Sequence, residues 1–97
     1  MERQDYLVIL YDFYGELLTD KQREYFEDYY FNNLSLSEIS ENLNISRNAI
    51  HKSLKIVGDK LQEYEDKLEL YKKSKMLEEI ASKITDKDIK NKLLNLY

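Results

Sequence analysis

At 97 residues, with 42% hydrophobic and 35% charged side chains, the chain suits one folded domain with a modest core. It has no cysteine, which excludes disulfides, thiolate metal sites and cysteine nucleophiles, and no run approaches the ~18 apolar residues of a membrane span. The lack of proline, with only two glycines, predicts helix throughout; the net charge is −4, and an acidic N-terminus without a basic start points to a cytoplasmic protein with no membrane attachment.

The first predicted helix covers residues 5–16, with Leu7, Leu10, Tyr11 and Tyr14 at helical spacing. Val8, Ile9 and Phe13 widen that face, which suggests burial on more than one side. Gly15 closes the helix, and Leu17 and Leu18 lead to Thr19. Thr19 with Gln22 forms a capping box for a second helix over residues 20–31. Tyr25, Phe26, Tyr29 and Tyr30, with Phe31 beyond, line one side of it. A base-stacking platform is one use for such aromatics. Core packing is the commoner use, and the acidic neighbours Glu24, Glu27 and Asp28 repel a phosphate backbone. Asn32 and Asn33 end the helix, and Leu34 acts as a staple.

Residues 35–57 organise the chain as two helices and a tight turn. Ser35 and Glu38 make a second capping box, and Leu36, Ile39 and Leu43 form one apolar face. Asn44 tolerates the left-handed backbone of a sharp helix end, Ile45 tucks into the corner, and Ser46 caps the next helix. Ala49, Ile50, Leu54 and Val57 face inward. This is a helix-turn-helix pattern, whose second helix ordinarily enters the DNA major groove. Its outward face carries Arg47, Asn48, His51, Lys52 and Lys55, donors of the kind that read bases or neutralise phosphates. A solvated polar helix is the plainer reading. Charge favours DNA: residues 1–46 carry net −7 and residues 47–97 net +3, so the basic excess begins with the second helix. The candidate DNA-binding residues are Ser46, Arg47, Asn48, His51, Lys52 and Lys55.

Ile50, Leu54, Val57, Leu61, Tyr64, Leu68 and Tyr71 then alternate steps of four and three, which predicts one continuous helix over residues 47–74, with Gly58 the place for a bend. A seam this long needs a partner, either the first helix or a second copy; a two-fold homodimer, the commonest oligomer, is the expectation. Met76, Leu77, Ile80, Ala81 and Ile84 continue in helical spacing, and Thr85 with Asp88 is expected to start a last helix holding Ile89, Leu93, Leu94 and Leu96. The division expected is a helix-turn-helix domain over residues 1–73 and a helical extension over 74–97. His51 is the only histidine, and there is no Gly-rich phosphate loop, so neither a metal or other cofactor nor catalysis is expected.

Gly15, Leu17-Leu18-Thr19, Lys21-Gln22, Tyr29-Tyr30, Leu34 to Ile39 and Ile45 to Ile50 together resemble the YlxM family of bacterial helix-turn-helix proteins, itself similar to region 4 of RNA polymerase sigma factors. The match covers about residues 11–71. The resemblance implies a small all-α DNA-binding or regulatory protein, with a proposed connection to the signal recognition particle pathway. It places Arg47, Asn48, His51 and Lys55 at the exposed recognition positions. The family pattern leads one to expect Gln at Asn48, an acid at Lys52 and a basic residue at Ile56, so sequence preference does not transfer. Two functions follow: a DNA-binding regulator, or an interaction module of the signal recognition particle pathway that does not bind DNA.

Overall fold

The computed structural model describes residues 2–96. Helix α4 (Arg47–Leu68) is the spine. Packed against it are α1 (Arg3–Tyr14), α2 (Asp20–Tyr30) and α3 (Leu36–Leu43). Helices α5 (Leu70–Ala81) and α6 (Lys87–Leu94) form a hairpin beyond it, joined to the rest by contacts of α5 with α1. The described residues are all-helical and elongated, 55 Å by 25 Å by 24 Å.

Two apolar clusters divide the work. Leu7, Leu10, Tyr14, Leu18, Phe26, Val57 and Leu61 bind α1 and α2 to α4. Tyr25, Ile39 and Ile50 bind α2 and α3 to the first turns of α4. The aromatic residues of α2 are chiefly core, as their spacing suggested. Phe26 stacks on Tyr11 at 4.4 Å and on Tyr30 at 4.4 Å. Phe31 departs from this and stays exposed. Leu54 was expected in the inner face, but it is only half-buried, at the margin of the second cluster. Ile50 and Val57, on either side of it in the stripe, are fully buried.

The first helix starts and stops two residues earlier than its apolar spacing suggested, and Gly15–Leu17 forms a 3-10 turn. Gly15 lies against the Tyr11 ring: a Cβ there would sit 3.1 Å from the ring carbons, so the ring would have to give way slightly. Gly58 has a different role from the bend expected of it. Helix α4 runs through it unbroken, and α1 crosses there. A Cβ at Gly58 would meet Arg3 Nη2 and a Leu7 methyl at 3.5 Å, ordinary contact. Gly58→Ala should therefore stabilise the fold by about 0.5–1 kcal/mol, because the unfolded chain loses freedom and nothing is displaced. Thermal melts check it; a lower midpoint would mean that α1 cannot hold its place over an added methyl.

The continuous helix expected over residues 47–74 is broken at Glu69, which adopts a left-handed conformation with φ 54°. The reason is a buried carboxylate. Glu65 is 7% exposed, and its Oε1 accepts hydrogen bonds from the Tyr14 hydroxyl at 2.5 Å and the Tyr71 amide at 3.1 Å. Its Oε2 accepts from the Lys72 amide at 3.1 Å, while the Tyr14 oxygen accepts from the Leu70 amide at 3.0 Å. The first three amides of α5 are thus satisfied by side chains of α4 and α1, so a new helix starts where the old one stops. The apolar seam is affected too. Leu61 is buried under α1, Tyr64 and Tyr71 are half-buried against it, and Leu68 turns 45% exposed. Of the two partners expected for the seam, the first helix covers most of it within the chain.

The last helix begins one residue later than Thr85 would place it. Asp86 is the cap, its Oδ1 accepting from the amides of Asp88 at 2.9 Å and Ile89 at 3.2 Å. A short carboxylate one position nearer the helix takes both amides and satisfies them with charge.

Candidate nucleic-acid interface

Helix α3 starts at a complete capping box. Ser35 Oγ accepts from the Glu38 amide at 3.1 Å, and Glu38 Oε1 accepts from the Ser35 amide at 3.0 Å. Asn44 ends the helix in the left-handed region, φ 55° and ψ 44°, as an asparagine tolerates. The Ile45 amide then donates back to the Ser40 carbonyl at 3.1 Å, and the Ser40 hydroxyl donates to the Ile45 carbonyl. These bonds fix the turn from both sides. Ser46 caps α4, its Oγ accepting from the Ala49 amide at 3.1 Å. Ile39 and Ile50, both fully buried, lock the two helices together.

All six residues singled out in the sequence lie here. Ser46 is the cap itself. Arg47, Asn48, His51, Lys52 and Lys55 are all exposed on the first turns of α4. At about 100° per residue they span an arc of roughly 140°, opposite the buried Ile50 and Val57. None of Arg47, His51, Lys52 and Lys55 joins an ion pair among the described residues. The cationic strip stops at Asp59, which falls within the same arc one turn beyond Lys55. Ile56, where a basic residue was expected, is 51% exposed and adds apolar surface outside the arc.

The tertiary structure adds Arg3. Its guanidinium crosses α4 at Gly58, and with His51 and Lys55 it borders a cleft of about 400 Å³ floored by Leu7, Leu54 and Tyr29. The only hint in the sequence is a glycine in mid-helix, which often marks close approach of another segment. On α2 the sign reverses. Asp20, Glu24, Glu27 and Asp28 surround a shallow cleft containing one cation, Arg23, 4.0 Å from Glu27. Tyr11 donates to Glu27; burial, and then that carboxylate, hold its hydroxyl above the ordinary tyrosine value. A strip of cations on α4 and a patch of anions on α2 thus put opposite charge on two helices of the domain.

Among the described residues no three His, Asp or Glu side chains gather as a metal site would require, and no helix is long and apolar enough to cross a membrane.

Residues 1–96 match the family described as "UPF0122: Putative helix-turn-helix protein, YlxM / p13 like". The UPF0122 protein of Caldanaerobacter subterraneus subsp. tengcongensis is 52% identical over 81 residues, 84% of this chain and 69% of that protein. The UPF0122 protein of Malacoplasma penetrans is 48% identical over 86 residues, 89% and 80% of the two chains. That of Ureaplasma parvum serovar 3 is 44% identical over 91 residues, 94% and 92%.

Proposed function

Because the chain belongs to the UPF0122 family of helix-turn-helix proteins, we propose that α3 and α4 bind duplex DNA and that the protein regulates transcription in the cytoplasm without enzymatic activity. The observation carrying this reading is the common exposure of Arg47, Asn48, His51, Lys52 and Lys55 on the first turns of a capped second helix. Each has chemistry to contribute. Arg47 can donate two bonds to guanine O6 and N7, and Asn48 can pair with adenine N6 and N7. Lys52 and Lys55 neutralise phosphates, and His51 supplies a donor between them. Ser46 holds the turn that aims the helix.

Arg47→Ala and Lys55→Ala should leave helicity and melting unchanged, since both side chains are exposed, and should weaken duplex binding. Loss of a phosphate contact at Lys55 should lower the salt slope by about one unit. Binding that is insensitive to both changes would remove α4 from the interface. The acidic α2 face and the net −7 of residues 1–46 support a second reading, an interaction module for components of the signal recognition particle. Wild-type protein that fails to bind a genomic duplex library at low salt would sink the DNA reading, and the particle's protein and RNA would become the ligands to test.

A further inference from the structure

Six of the nine exposed large hydrophobics among the described residues, Leu68, Met76, Ile80, Ile89, Leu94 and Leu96, lie at or beyond the end of α4. Helix α5 turns Leu70, Ser74, Leu77 and Ala81 inward. Its outer face carries Lys72, Lys73, Met76, Glu79 and Ile80, all exposed and within an arc of about 120°. Met76 is 53% exposed and Ile80 54%. The order of charge along this helix is unusual. Lysines occupy its N-terminal half, at 72, 73 and 75, and glutamates its C-terminal half, at 78 and 79. That is the reverse of what a helix dipole favours, and of these five charges only Lys72 has an ion-pair partner among the described residues, Glu69 at 3.1 Å.

We propose that the outer face of α5 pairs with the same face of a second copy, antiparallel and two-fold, with Met76 on the axis. About that axis each residue before Met76 meets one equally far after it. Lys73 faces Glu79 of the partner subunit, and the Lys72 stem covers Ile80 of the partner subunit. The charge order that is wrong for one helix is right for an antiparallel pair, because each cationic end lies beside an anionic end of opposite dipole. Lys73 and Glu79 are six residues apart, too far to pair within one helix, so their complementarity serves only a partner. A helix pair of this length buries less than the ~1,200 Å² of a standard interface. The dimer is therefore weak and strongly dependent on concentration.

Sedimentation equilibrium at about 100 μM should show dimer for the wild type. Lys73→Glu alone and Glu79→Lys alone place like charges together twice and should each weaken association by about tenfold or more. An equimolar mixture of the two variants restores both pairs and should dimerise like the wild type. Circular dichroism of each variant checks that α5 still folds. Because the chain has no cysteine, Met76→Cys should oxidise to a covalent dimer of twice the 11.7 kDa mass. A monomeric wild type, a dimer untouched by either reversal, a mixture that stays monomeric or a Met76→Cys protein that does not cross-link would each overturn the proposal. None of these outcomes bears on duplex binding, which a monomer can also perform.

Discussion

Phe26→Ala should destabilise the protein by about 3–5 kcal/mol, a large share of the 5–15 kcal/mol that holds a typical domain folded. The ring is 1% exposed and stacked between Tyr11 of α1 and Tyr30 of α2. It shares a cluster with Leu10, Val57 and Leu61, so its loss opens a cavity where three helices meet. The partners cannot collapse into that space, because Tyr11 is tied to Glu27 and Gly15 already lies against its ring. Duplex binding should fall with stability, since α2 and α3 set the direction of α4. Leu54→Ala, half-buried at the cluster margin, should cost clearly less. Urea curves for the two variants decide it: equal midpoints would mean that the aromatic stack contributes little beyond one aliphatic side chain.

Glu65→Ala should be the other severe change, at about 2–4 kcal/mol, because it strands the Tyr14 hydroxyl and the Tyr71 and Lys72 amides without an acceptor. The effect is local as well as global. With the carboxylate gone, nothing compensates the left-handed Glu69, and α4 gains by growing into α5. Distance measurements between spin labels on α2 and α6 should lengthen or broaden, whereas unchanged distances would show that the break has another cause. The same network predicts alkaline sensitivity. Burial first, and then the hydrogen bond to Glu65, push the Tyr14 pKa from 10.0 up to about 12. A raised tyrosine pKa means that the folded state keeps a proton the unfolded chain gives up. Stability from this group is complete below pH 10 and is lost as pH rises towards about 12. Tyr14→Phe should flatten that part of the pH profile while lowering stability at neutral pH by about 1–3 kcal/mol, since the Leu70 amide loses its acceptor. A profile unchanged by the substitution would exclude Tyr14 as the titrating group.

The helix-turn-helix was legible from residues alone because its signals are local. A Ser-Glu capping box, a left-handed asparagine and a second serine cap each reach no further than four residues along the chain, and the structure uses each at its expected atom. Near-absence of helix breakers and the 3.6-residue spacing likewise determined that the fold is all-helical. The path of the chain after Leu61 was decided elsewhere. Periodicity cannot tell a helix that continues from two helices that meet in phase, and the residue that separates them, Glu65, reads in sequence as one more surface acid. Only α1, by bringing the Tyr14 hydroxyl to it, turns that carboxylate into a buried cap that stops α4 and starts α5. The same crossing brings Arg3 over Gly58 beside the strip of cations. Contacts between residues fifty positions apart leave no spacing to read, because long-range burial depends on where the elements dock.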